Sequence, residues 1–172
     1  MKAVKCTARM AAVAAAALAL AGCGYSTQSL YPDDVTSVDV PVWTVGKDVY
    51  RRGLEMRLTE AIKKRISLDT PFKIATKGTA DTQLTGTIER IDQRVLSTNP
   101  DTGRPRELEI TITVSFNWTD LRSGKVRKSC PDFHVAGTYI PPAPFGEDFF
   151  QGSEDVIDEL ARRIVEQMEA PW

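Results

Sequence analysis

The sequence predicts an α+β fold, a two-layer sandwich in which two helices pack on one face of a mainly antiparallel four- to five-stranded sheet. Three observations predict it. The segment from Leu108 to Trp118 puts six apolar side chains on one face and none on the other, which calls for a sheet covered on one side only. Two segments carry apolar residues at helical spacing, each as a single stripe. The element order is strand, helix, two strands, two strands, helix, so the two stripes share the one apolar face of the sheet.

The elements follow in order. Residues 1–22 hold three cations, Lys2, Lys5 and Arg9, and no acid, ahead of an apolar run from Met10 to Leu20. This is the pattern of a signal peptide. As a helix the run would be roughly 16 Å long, about half of what a hydrocarbon core of ~30 Å demands. Leu20, Ala21 and Gly22 then lead into Cys23, a sequence that looks like the lipobox of bacterial lipoproteins. That resemblance implies a diacylglycerol on the Cys23 sulfur, cleavage just before Cys23, and a lipidated N-terminus with an acyl (palmitate-type) group on its amine. Gly24, where an aspartate would favour the inner membrane, points to the outer membrane.

Removing the signal takes Cys6 with it and leaves about 150 residues, enough for one domain. Cys23 carries lipid and Cys130 has no partner for a disulfide. The signal also removes three cations, so the remaining chain has a net charge of about −4. Bulk charge gives no case for nucleic acid, and an anionic ligand would need a local basic patch.

Residues 23–36 are polar and aperiodic and read as a lipidated tether, with the domain spanning 37–172. Val38, Val40 and Val42 alternate with Asp39 and Pro41, a strand placed at an edge by the proline. Tyr50, Leu54, Leu58, Ala61, Ile62 and Ile66 trace a helix from about Tyr50 to Leu68, stopped by Asp69 to Pro71. Its cations Arg57, Lys63, Lys64 and Arg65 read as a solvated face. A short strand follows at residues 72–76. In the next, residues 82–96, Leu84, Gly86 and Ile88 share one parity and Ile91, Gln93 and Val95 the other, which places a bulge near Glu89 to Ile91.

The long strand from Arg106 to Asp120 turns through Ser123 and Gly124 into a return strand, residues 125–137. Residues 138–152 hold three prolines and two glycines and read as a loop, including Tyr139 to Pro144. Ser153 is the expected N-cap of the last helix, with Glu154 and Asp155 in its first turn. Val156, Ile157, Leu160, Ala161, Ile164, Val165 and Met168 form its stripe, and Pro171 ends it.

Catalytic motifs are weak. Asp101-Thr102-Gly103 has the residues of an aspartic-protease triplet, but sits once, in a polar Pro-rich loop, and reads as a turn. His134 is the only histidine, and no cluster supplies the ligands of a zinc site. Neither a nucleophile with a histidine partner nor a Gly-rich phosphate loop is present, so the chain reads as a non-enzyme without a cofactor.

The segments AGCGYS, SVDVPVW, GLEMRLTEAI, ADTQLTGTIERI, TITVSFNWTDLRSGKV and LARRIVEQMEAPW occur in an order that resembles the LptE-type lipopolysaccharide-assembly lipoproteins. The resemblance implies two helices on a sheet. It implies too an outer-membrane lipoprotein that partners and plugs a large LptD-type β-barrel in lipopolysaccharide transport. The domain would then face the periplasm or sit inside the barrel lumen. A ligand with phosphates would need cations, and the densest group is Arg122, Lys125, Arg127 and Lys128 at the second hairpin. The alternative is a structural or adaptor lipoprotein that binds another envelope protein without handling glycolipid.

Overall fold

The structure, a computed structural model, describes residues 29–47, 49–51, 53–140 and 149–170. Cys23 and the signal segment lie outside the described residues. The elements are β1 (Ser37–Asp39), β2 (Thr44–Val45), α1 (Leu54–Asp69), β3 (Lys73–Ile74), β4 (Thr82–Thr98), β5 (Pro105–Asp120), β6 (Val126–Tyr139), α2 (Phe149–Gly152) and α3 (Glu154–Glu166). Two long helices cover one face of one sheet. Leu58, Ile62, Ile66, Leu160 and Ile164 meet Ile88, Ile110 and Ile112 in a single core, each at most 2% exposed.

The sheet runs β3-β1-β4-β5-β6, with β2 also on β4. The three long strands form an antiparallel meander. The short strands are parallel to their neighbours, so the sheet is mixed, a detail the period-2 pattern does not encode. Parallel β1 and β3 are joined by the crossover through α1.

The expected first strand is two pieces in one lane along β4. Val38 pairs with Thr82 and Val45 with Ile88. Between them the alternation fails: Val38 and Val40 are buried, Val42 is 58% exposed and Trp43 takes the inward place. Pro41, without an N–H, falls in this break; β1 before it lies between β3 and β4, whereas β2 after it pairs with β4 alone among the described residues and so lies at an edge, as the proline leads one to expect. Trp43 lies on Gly86, where a Cβ would come within 2.5 Å of its ring. The Trp43 N–H donates to the buried Thr59 hydroxyl (3.0 Å), which donates to the Glu55 carbonyl (2.6 Å).

Helix α1 starts at Leu54, after Gly53, and Tyr50 lies outside it, 93% exposed, instead of on its stripe. The Thr70 hydroxyl and N–H both bond the Ile66 carbonyl at the other end. All seven residues of the stripe expected for α3 are buried, Met168 just beyond the helix among them. Ser153 is not its N-cap in the expected sense: its backbone is helical (φ −89°, ψ −5°), with no side-chain capping bond. The reason is α2, which occupies the end of the expected loop and runs into α3; the Ser153 N–H bonds the Phe149 carbonyl at 2.9 Å. The start of that loop is strand, since Thr138 and Tyr139 pair with Glu109 and Leu108 at the end of β6, and residues 141–148 lie outside the described residues.

Register shifts interrupt both ladders of the meander, one of them at Glu89 and one at Pro131 and Asp132. On β4 the pairing steps from Ile88 to Arg90, so Glu89 is the extra residue, at the position where the parity changes. Beyond it burial falls off, with Val95 48% and Leu96 41% exposed, and the hairpin projects past the helices. On β6, Pro131 and Asp132 stand between the pairs Cys130 with Phe116 and Phe133 with Val114, and Asp132 has φ 59°. Cys130 is half-buried against the core.

Candidate functional site

The four cations singled out in the sequence meet at one end of the domain, around the turn between β5 and β6. Asp120 starts that turn. Its Oδ1 accepts from the N–H groups of Arg122 (3.0 Å) and Ser123 (2.9 Å), and Gly124, at φ 69°, lets the chain return so that the Asp120 N–H reaches the Lys125 carbonyl at 2.9 Å. The Ser123 N–H, followed by the Arg127 guanidinium, holds the Asp120 carboxyl down to a pKa of about 2.

The turn brings the four cations together but gives them two different settings. Arg122 donates to Asp81, whose other oxygen accepts from the Thr36 N–H (3.0 Å) and hydroxyl (2.6 Å) and from the Ser37 N–H (3.1 Å). The Thr36 hydroxyl, then Arg122, hold the Asp81 carboxyl far below the usual carboxylate range. Arg127 donates to Asp34 and, at 3.0 Å, to Asp120, with its guanidinium 5.5 Å from the centre of the Trp118 ring. These two arginines therefore hold residues 34–37 to the hairpin. Lys125 and Lys128, with Arg127, line a groove of about 640 Å³ together with Pro32, Trp118, Val126, Gln167 and Ala170 and the carboxylates of Asp120 and Glu169.

Two buried donors belong to residues of this lining, Nε1 of Trp118, a residue 4% exposed, and Nε of Arg127; neither has a hydrogen-bond partner among the described residues, and both are closed off from solvent. A buried N–H without a partner costs about 1–3 kcal/mol. Lys125, Lys128 and an apolar wall of Pro32, Val126 and Ala170 suit an anion joined to an apolar body, against which the carboxylates of Asp120 and Glu169 on the same lining count. Sequence reasoning counts Trp118 as an inward core residue and has no signal for Asp34, Asp81, Pro32 or Gln167, which arrive from distant parts of the chain.

Residues 30–36, which the sequence assigns to the tether, also reach this end. Leu30 accepts at its carbonyl from the Ala170 N–H (2.8 Å), Tyr31 meets Phe72 edge-on at 5.5 Å, and Val35 is 4% exposed. Among the described residues no helix is long and apolar enough to cross a membrane.

The sequence model of a family described as LptE, lipopolysaccharide-assembly, matches residues 35–170. Among curated proteins none matches the chain. Several solved structures are similar to it. The rare lipoprotein B of Shewanella oneidensis is 19% identical, with 77% of this chain and 93% of that chain covered, at a TM-score of 0.47. A PelC dodecamer from Paraburkholderia phytofirmans gives 16% identity, 84% and 96% coverage and a TM-score of 0.50. The hypothetical protein CT253 of Chlamydia trachomatis gives 11% identity, 76% and 94% coverage and a TM-score of 0.53. The last two share the fold with this chain.

Proposed function

Since the chain belongs to the LptE lipopolysaccharide-assembly family, we propose that it is an outer-membrane lipoprotein, acylated at Cys23, that partners and plugs a large LptD-type β-barrel during lipopolysaccharide transport. The family match over residues 35–170 is the observation that carries this reading. No residue has a catalytic role in it, and no cofactor is needed beyond the acyl and diacylglycerol groups on Cys23. The acyl chains contribute about 0.8 kcal/mol per buried CH2, so more than one chain makes a lasting anchor.

Within that role the groove beside Lys125 and Lys128 takes a phosphate of the glycolipid. The lysines supply both charge and hydrogen bonds. Arg122 and Arg127 act chiefly by holding the groove's shape through Asp81, Asp34 and Asp120.

Affinity purification of the lipidated protein from detergent-solubilised outer membranes tests the main reading. A near-equimolar large β-barrel is expected; its reproducible absence, with another envelope protein in its place, overturns the reading in favour of the adaptor. For the groove, replacing both Lys125 and Lys128 by Gln should weaken binding of purified lipopolysaccharide by about tenfold, the equivalent of one charge-assisted hydrogen bond. Unchanged binding removes the groove from the mechanism.

A further inference from the structure

Residues 30–37 form a strap across one end of the domain, and four fastenings hold it. The Leu30 carbonyl is bonded to Ala170 beyond α3, Tyr31 packs on Phe72, Asp34 pairs with Arg127, and Thr36 with Ser37 closes on Asp81, which Arg122 holds from the other side. These fastenings come from the chain after α3, the segment before β3, the start of β4 and the β5–β6 hairpin, so the strap is tied to every part of that end.

The strap shortens the leash between anchor and domain. A free tether to Thr36 would let the domain move about 45 Å from Cys23, at 3.3–3.6 Å per residue, whereas the seven residue steps from Cys23 to Leu30, the first fastened residue, span at most about 25 Å. The domain's other end, the turn between β4 and β5, lies roughly 50 Å from the β5–β6 turn along β5, a strand of 16 residues. A leash shorter than the domain, joined at one end, fixes which end meets the membrane.

We propose that the strap end is a lipid-facing surface. The β5–β6 turn is held at the phosphate headgroups of the leaflet that takes the acyl chains, and the β4–β5 turn points away from it. The end is suited to that position: Lys125 and Lys128 offer charge to anionic headgroups, with Asp120 of the same lining already paired to Arg127 and Glu169 the carboxylate left to oppose them. Val126 is 48% exposed between the lysines, and Leu30, bonded to Ala170 of the groove, is 45% exposed. The inference rests on the acylation of Cys23 put forward above.

The test uses the full lipidated protein with Cys130→Ser, reconstituted in phosphatidylethanolamine–phosphatidylglycerol vesicles that carry a headgroup spin-labelled lipid. A fluorophore is placed on Ser123→Cys in one sample and Thr102→Cys in the other, both in exposed turns. Mass spectrometry of the N-terminal peptide is read in parallel. Several-fold stronger quenching at position 123 than at 102 is expected. Tyr31→Ala combined with Asp34→Asn and Asp81→Asn, which loosens three of the four fastenings including the ring contact nearest the anchor, should bring the two positions closer to similar quenching. Equal or reversed quenching with Cys23 acylated overturns the orientation alone, and that comparison does not depend on the triple variant folding. A difference unchanged in a folded triple variant overturns the strap as its cause. An unacylated Cys23 overturns both this inference and the lipoprotein reading.

Discussion

The two turns that close the β4–β5–β6 meander are built alike and used differently. Each starts with an Asx side chain whose oxygen accepts from the N–H groups two and three residues on: Asn99 to Asp101 and Thr102, and Asp120 to Arg122 and Ser123. Each has a glycine at its fifth position with positive φ, 66° at Gly103 and 69° at Gly124, bonded at 2.8 Å to the carbonyl of the first residue. Their surroundings differ. The β4–β5 turn closes an exposed arm, while the β5–β6 turn is fastened to the strap and borders the groove. Turn geometry is thus a local property of six residues, whereas what a turn does is decided by the segments the fold brings beside it.

That difference can be broken or sharpened by experiment. The largest effect is expected from Trp118→Ala, which removes a buried ring at the strap end and should cost about 3–5 kcal/mol in urea unfolding, against less than about 1.5 kcal/mol for the half-exposed Leu96→Ala on the arm. Equal costs would mean that the arm is covered as well. Of intermediate size are Gly103→Ala and Gly124→Ala, each forcing an alanine into the left-handed region at about 1–2 kcal/mol by the same unfolding assay. Matched values would establish that the turns are equivalent in themselves; an excess at Gly124 would mean that the strap draws on the turn.

The smallest effect is expected from acid. Asp120 has its pKa depressed to about 2, first by the Ser123 N–H of its own turn and then by Arg127, while Asp34 is lowered by Arg127 and Asp81 by the Thr36 hydroxyl and then Arg122. Groups with depressed pKa contribute stability above the unfolded value, about 3.9 for Asp, and lose it as pH falls towards the folded value. Amide exchange of residues 30–37, corrected for intrinsic rates, should therefore be flat from neutral pH to about 4 and rise only below it. Residues 99–104 should show no such rise, because their turn is held by the neutral amide of Asn99. Exchange that rises in both segments together would reduce the contrast to global acid unfolding.

The same contrast explains what is legible in the sequence. The stripe of α3, the inward face of β5, the bulge at Glu89 and both turns follow from spacing, parity or turn chemistry within a few residues, and each is where the sequence places it. The break at Pro41 is half legible: the proline announces a missing donor, but not that Trp43 replaces Val42 by lying on Gly86 in another strand. The settings of the four cations are not legible. Arg122 and Lys125 look alike in sequence, and only contacts spanning 41 residues to Asp81 and 93 residues from Arg127 to Asp34 separate a fastening from a charge that lines the groove. Ser153 fails as a cap for a similar reason, since the preceding turn of helix lies within a Pro-rich stretch that reads as loop.

The bulge of Pro131 and Asp132 has a consequence for the chain before it ever meets a partner. Strand β6 is the long open side of the sheet, 14 residues with backbone groups that a strand of another molecule could copy. A proline without a donor and a residue at φ 59° interrupt that template near its middle, breaking the continuous run that would seed a stack of chains. The kink is a safeguard against fibre growth, written into the long edge of the sheet.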